Sequence, residues 1–305
     1  MTGQQDADGG FETLVPRSST TGGGRREAVR AAALRLAEAG VDSPEHDAAE
    51  LLAHVLGTTR AALPLADDVT PAQQERYAAL VARRADREPL QHLLGTAAFR
   101  YVELDVGPGV FTPRPETELL AGWAVDQARA VLEDGRVPVV VDLCTGSGAI
   151  ALSVATEVPT AQVHAVELGE DALLWAERNL SGSGVDLRHG DMRDAFPDLD
   201  GQVDVVVCNP PYIPLDAYES VAREARDHDP HLALFSGDDG LDAMRVLERV
   251  AGRLLRTGGV VGAEHADVQG EAAPGVFRAA ERWADVRDHR DLAGRDRYLT
   301  ARLAR

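Results

Sequence analysis

The sequence predicts an α/β protein: a doubly wound, mainly parallel sheet of seven strands, preceded by a small all-α domain. Three observations predict it. From Val137 onward, apolar β-branched runs alternate with amphipathic stretches, the signature of successive βαβ units. A glycine-rich turn, Gly146-Ser147-Gly148, joins the first run to the first stretch. The run Val205-Val206-Val207-Cys208 then stops at Asn209-Pro210-Pro211-Tyr212, because two prolines forbid a buried strand from continuing.

Taken in order, residues 1–24 are rich in Gly, Ser, Thr and Asp and read as a flexible tail. Residues 25–90 read as a bundle of three short helices. In the first, Val29, Ala32, Ala33, Leu36 and Ala37 share a face. Ser43-Pro44 supplies an N-cap and a first-turn proline to the second, which carries Leu51, Leu52, Val55 and Leu56. Thr70-Pro71-Ala72-Gln73 is a capping box that opens the third, with Tyr77, Leu80 and Val81 inward. This domain carries no chemical motif, which leaves it packing or the gripping of a partner. Residues 91–115, with Phe99, Tyr101, Leu104, Val106 and Val110 among Gly107, Pro108 and Gly109, read as a β-hairpin connector. Residues 116–305 form the α/β domain. Its strands are expected at 137–141, 162–166, 185–188, 203–208, 259–263, around Val286 and at 298–301, and its helices at 148–158, 170–180, 241–255 and 271–282. The 26 residues from Leu215 to Gly240 make a long polar excursion of the kind that forms lids, and are expected to shape a substrate entrance.

Composition bounds the function. A formal net charge of -19 over 305 residues opposes a broad polyanion-binding surface, so no direct nucleic-acid binding is expected. All of the Lys+Arg total is arginine. Cys144 and Cys208 give no disulfide framework, and no Cys/His spacing resembles a zinc site, so the reducing cytosol is the expected compartment. With no apolar run of membrane-spanning length and no signal peptide, a cytoplasmic protein without membrane contact is expected.

Chemistry is concentrated where strands end. Prolines have no N–H, so the Asn209-Pro210-Pro211-Tyr212 loop offers the Asn209 side-chain oxygen and the Pro210 and Pro211 carbonyls, all acceptors, beside the aromatic face of Tyr212. A flat NH2 group suits such a site. Across the sheet, the glycines of Cys144-Thr145-Gly146-Ser147-Gly148 let backbone approach a ligand closely, and Glu167, 21 positions after Gly146, suits a ribose diol. The turn also fits the dinucleotide fingerprint in its Gly/Ala form. Asp142, however, sits poorly beside a pyrophosphate and well beside an ammonium, while Asp191-Met192 suits an adenine amine and its face. Together these requirements describe S-adenosylmethionine.

The glycine turn, Glu167, Asn209-Pro210-Pro211-Tyr212 and the loop Phe111-Thr112-Pro113-Arg114-Pro115-Glu116-Thr117-Glu118 together resemble the release factor glutamine methyltransferases, the PrmC/HemK family. The resemblance runs from about Arg25 to the C-terminus and includes Gln91-His92-Leu93-Leu94-Gly95. It implies a class I S-adenosylmethionine-dependent methyltransferase fold. The activity implied is methylation of the side-chain amide nitrogen, N5, of the glutamine in the Gly-Gly-Gln motif of class 1 peptide chain release factors, which would dock on the helical domain. Residues 144–148, Glu167, Met192 and Asn209 would contact cofactor, and residues 209–212 would hold the glutamine. Independently of the resemblance, the density of Arg and Glu in the proline-stiffened loop makes Phe111, Arg114 and Glu118 candidates for a cofactor or domain contact. Cys144 stands where glycine is common, Glu167 for Asp, and Met192 where aromatics are frequent.

The expected chemistry has the Asn209 oxygen and the Pro210 carbonyl accept both amide hydrogens, baring the nitrogen lone pair for in-line displacement. Methyl transfer needs no metal, so Asp227-His228-Asp229-Pro230-His231 reads as a solvated loop. Glu264-His265 could polarise something in the cleft but reads first as a hydrogen-bonded strand end, and the two cysteines read as packing residues. Competing readings are a glutamine methyltransferase of a ribosomal protein, an adenine-N6 methyltransferase of DNA or RNA, a nicotinamide-dependent oxidoreductase, and a non-catalytic scaffold.

Overall fold

A computed structural model describes residues 23–304. The tail expected over 1–24 lies outside the described residues up to 22, while Gly23 and Gly24 already belong to the first helix. The chain divides into two compact units between Ala82 and Arg83.

The first unit holds α1 (Gly23–Glu38), α2 (Pro44–Leu56), a short 3-10 turn (Arg60–Leu65) and most of α3 (Pro71–Ala85). Leu36, Leu51, Leu52, Tyr77, Leu80 and Val81 make its core, and the Tyr77 hydroxyl donates to the Ala48 carbonyl at 2.9 Å. The capping box forms as expected: the Thr70 N–H donates to Gln73 Oε1 at 2.9 Å and the Gln73 N–H to Thr70 Oγ1 at 3.3 Å. Two details differ. Ala37 is exposed, one step beyond the buried stripe, and the Ser43 side chain makes no cap bond although Pro44 opens the helix. The division falls inside α3, ahead of residue 90, because Arg83 and Arg84 pair with Glu88 and Glu224 of the second unit.

The second unit continues with α4 (Leu90–Leu94) and the antiparallel hairpin β1 (Thr96–Phe99) and β2 (Val102–Asp105). Then come α5 (Thr117–Glu133), β3 (Val139–Leu143), α6 (Ala149–Glu157), β4 (Gln162–Glu167), α7 (Glu170–Leu180), β5 (Asp186–His189) and β6 (Val203–Cys208). Two short helices follow, α8 (Arg223–His228) and α9 (His231–Leu234). The chain closes with α10 (Asp242–Leu254), β7 (Leu255–Glu264), α11 (Ala272–Ala279), β8 (Trp283–Arg290) and β9 (Asp296–Leu303). β3 starts after Pro138, which has no N–H for a ladder, rather than at Val137. No helix of the described residues is long and apolar enough to cross a membrane.

The seven strands order as β5-β4-β3-β6-β7-β9-β8, with β3 to β7 parallel and β9 antiparallel to both its neighbours. This is the doubly wound, mainly parallel sheet that the sequence predicts. β6 shows why it is covered on both faces. Val205 and Val207 pack with α5 and α6 residues such as Ala124 and Val154, while Val206 and Cys208 pack with α10 and α11 residues such as Leu247 and Phe277. Each fully buried valine stabilises the sheet by roughly 1.5–3 kcal/mol. Strand order reverses between β3 and β6, whose ends meet at the Leu143–Cys208 pair. A crevice therefore opens beyond those carboxyl ends.

Candidate active site

A cavity of about 860 Å³ occupies that crevice. Its wall includes Phe111, Cys144, Thr145, Gly146, Ser147, Glu167, Asp191, Met192, Asn209, Pro211 and Tyr212. Asp142, Gly148, Pro210, Arg114 and Glu118 do not line it.

On the β3 side the turn is built from backbone. Gly146 and Gly148 take φ of 58° and 86°, the left-handed region that glycine enters without strain, and Cys144 is held there too at 60°. A Cβ on Gly148 would meet the Leu180 side chain at 3.0 Å. Glu167 closes the turn: one carboxylate oxygen accepts from the Gly146 N–H at 2.8 Å and the other from the Gly169 N–H at 2.7 Å. Each oxygen keeps a lone pair for a further donor. Asp142 is buried, and its Oδ2 accepts from Thr145 Oγ1 at 2.6 Å and from the Ala151 N–H at 3.2 Å. Its Oδ1 is buried without a partner among the described residues. Burial pushes the carboxyl up to about 7, against the hydrogen bonds from Thr145 and Ala151. Asp191 caps a short turn, with its oxygens accepting from the Arg193 N–H at 2.9 Å and the Arg193 guanidinium at 2.6 Å. Met192 lies against Cys144, sulfur to sulfur 3.7 Å.

On the β6 side the lip is built from side chains. The Asn209 amide NH2 donates to Thr117 Oγ1 at 3.3 Å, and the Thr117 hydroxyl donates to Glu264 Oε2 at 2.7 Å. The Tyr212 hydroxyl donates to Glu264 Oε1 at 3.3 Å. From below, Gln269 Nε2 donates to the Tyr212 carbonyl at 3.0 Å. Glu264, 2% exposed, is pushed up to about 7 by burial, against hydrogen bonds from Thr117 and Tyr212 and the nearby charge of Arg297. Burial also raises the Tyr212 phenol, and the Glu264 charge beside it adds to this.

The remaining expected residues surround this pair. Phe111 lines the cavity, with the Arg114 guanidinium stacked 4.8 Å from its ring centroid. Arg114 reaches away from the cavity to Asp229 at 2.7 Å. Glu118 turns to the hairpin and accepts from the Arg100 N–H at 3.1 Å. Both therefore make contacts within the protein rather than with the cavity. Asp229 corrects the solvated-loop reading of 227–231: it is 4% exposed, because it anchors Arg114, and burial raises its carboxyl to about 6. The excursion folds back on itself, with the Ile213 N–H donating to the Leu234 carbonyl at 2.8 Å and the Ser236 N–H to the Ile213 carbonyl at 2.9 Å. Its residues from Pro230 to Gly237 line the cavity.

Two residues of the lip differ from their sequence reading: Thr117, to which the sequence assigns no role of its own, and Glu264, which could polarise something in the cleft but reads first as a strand end. Thr117 lay within the quoted Pro-rich loop, but nothing local marked it as the partner of a residue 92 positions away. Glu264 divides the reading of the Glu264-His265 pair. His265 is a hydrogen-bonded strand end, with its ring nitrogens 2.9 Å from the Ala266 carbonyl and 2.7 Å from Asp288 Oδ1. Glu264 instead reaches the lip.

Two protein families match this chain: the PrmC N-terminal domain over residues 27–95 and the methyltransferase domain over residues 140–228. The release factor glutamine methyltransferase of Streptomyces coelicolor is 61% identical over 276 residues, covering 90% of this chain and 97% of the relative. That of Mycolicibacterium smegmatis is 47% identical, covering 92% and 98%. Among solved structures, the hMettl16 catalytic domain in complex with the MAT2A 3'UTR hairpin 6 aligns with a TM-score of 0.51 at 14% identity over 77% of this chain and 82% of that one, a likeness of fold alone.

Proposed function

This chain belongs to the family of release factor glutamine methyltransferases and is an S-adenosylmethionine-dependent glutamine methyltransferase of release factors, and we propose that it modifies the N5 nitrogen of the Gly-Gly-Gln glutamine in class 1 factors at the cavity between β3 and β6. The observation that carries the siting is the pairing of a proline lip, whose two donors Asn209 NH2 and Tyr212 OH are both taken up within the protein, with a glycine turn on adjacent strand ends, around one cavity.

The residues present fit the cofactor. Glu167 has lone pairs free for a ribose diol, Asp142 Oδ1 is an unpartnered acceptor behind the turn, and Phe111 and Met192 offer soft apolar faces to an adenine. Cys144, Thr145, Gly146, Ser147 and Gly148 form the cradle, and Asp191 on the cavity wall would accept from the adenine amine beside its bonds from Arg193. Bound there, the cofactor supplies an electrophilic methyl group on a sulfonium.

An amide nitrogen is a poor nucleophile because its lone pair is delocalised into the carbonyl. The Asn209 side-chain oxygen and the Pro210 carbonyl accept the two amide hydrogens, while Pro211 and Tyr212 hold the flat group. These acceptors stabilise the positive charge that develops on nitrogen. Water takes the proton released afterwards. The helical domain of residues 25–90 docks the body of the release factor, the partner is a protein rather than nucleic acid, and the reaction runs in the cytosol without a metal. Labelled cofactor incubated with intact release factor, with a Gly-Gly-Gln peptide and with nucleic acid tests this reading. The expected result is transfer to the intact factor, weaker transfer to the peptide, and none to nucleic acid. Label on nucleic acid alone would overturn it.

A further inference from the structure

An asparagine amide can present either its oxygen or its NH2 to a ligand, and only the oxygen can accept from a substrate amide. What fixes the choice at Asn209 is two residues away in space and remote in sequence. A hydroxyl carries one hydrogen, and an ionised carboxylate carries none. Thr117 sits 2.7 Å from Glu264 Oε2, so its hydrogen goes to the carboxylate and its oxygen is left as an acceptor. The group that Asn209 turns toward Thr117, 3.3 Å away, must then be a donor, its NH2. The carboxamide oxygen is thereby directed to the opposite side. The second oxygen of Glu264 accepts from the Tyr212 hydroxyl, so one carboxylate holds both ends of the lip. Thr117 lines the cavity, and Glu264 stands behind it, 2% exposed.

We propose that Thr117 and Glu264 are positioning residues that hold the Asn209 amide oxygen-forward, and that the ionised form of Glu264 is the one that does so. This rests on the reading of Asn209 as an acceptor for the substrate amide. Glu264 protonated on Oε2 would instead donate to Thr117, which frees the Thr117 hydrogen to turn toward Asn209 and lets the amide flip. The groups facing Glu264 are Thr117 and Glu116 at the start of α5, Tyr212 in the lip and Arg297 on β9. Of these, Arg297 favours the ionised form and Glu116 opposes it.

The test compares Thr117→Val, Thr117→Ser and Glu264→Gln with the unaltered full-length enzyme, using S-adenosylmethionine and intact release factor. Thr117→Val removes the relay without changing shape and should lower kcat by about 10²-fold, the scale of a small misplacement of a reacting group. KM for the cofactor should hold. Thr117→Ser keeps the hydroxyl and should restore most of kcat. The Asp142 carboxyl on the cofactor side is also raised to about 7, but it acts through binding. At saturating cofactor, kcat of the unaltered enzyme should therefore rise as pH climbs through about 7, where Glu264 ionises, and Glu264→Gln should flatten that limb at a low rate. The Glu264→Gln profile decides the matter even if Thr117→Val folds poorly. A Thr117→Val enzyme with full kcat, or an unchanged pH limb in Glu264→Gln, would overturn the positioning role while an inactive Asn209→Ala left the acceptor reading standing. An active Asn209→Ala would sink both.

Discussion

The two halves of the site face each other across adjacent strand ends yet are made differently. The turn after β3 is held by main-chain conformation, with three residues in the left-handed region and Glu167 tying two N–H groups. The lip after β6 has no N–H at Pro210 or Pro211 to tie and is held by side chains from α5 and β7. A backbone cradle tolerates side-chain change but not a Cβ in the wrong place. A side-chain relay tolerates neighbours but not the loss of a single donor.

Breaking the lip should have the largest effect. Asn209→Ala should cut methyl transfer by roughly 10²–10³-fold, as removal of one preorganised electrostatic partner does elsewhere. Calorimetry should find cofactor binding weakened at most. Breaking the cradle should act on binding and stability instead. Gly148→Ala forces a Cβ into the left-handed region against Leu180, and should destabilise the protein by about 1–2 kcal/mol in denaturant unfolding. Cofactor binding should weaken while kcat at saturating cofactor holds; a fall in kcat alone would mean that the two halves are not separable as described. The smallest effect sharpens the contrast. Cys144→Gly relieves a residue at φ 60° and should raise stability by about 0.5 kcal/mol, the relief being larger than the chain entropy that glycine adds.

The same difference explains what was legible in the sequence. The glycine turn announces itself because its requirements are local, a few residues whose φ values only glycine meets easily. The strand that stops at Pro210 is likewise local, as is the capping box at Thr70. The relay behind Asn209 is not. Thr117 and Glu264 lie 147 positions apart, and each reads as ordinary punctuation until the sheet brings α5 and β7 beside β6. Arg114 and Asp229, 115 positions apart, hide for the same reason: a proline-stiffened arginine and a residue in an acidic stretch become an ion pair over a buried carboxylate only in three dimensions. Ala37 differs in a milder way: it fits the helical period of the apolar face yet is exposed beside the buried Leu36.

A rim whose donors are turned inward, the Asn209 NH2 to Thr117 and the Tyr212 hydroxyl to Glu264, can count a ligand's hydrogens but cannot ask what they hang from. Carboxamide, aniline and exocyclic base amine all present two coplanar N–H bonds, so the prolines alone are blind among them. Discrimination must then draw on the rest of the cavity wall, to which Pro230 to Gly237 contribute. Exchanging that stretch should therefore change which acceptor is methylated more than how fast the methyl group moves, measured by competing an intact release factor against a free arylamine.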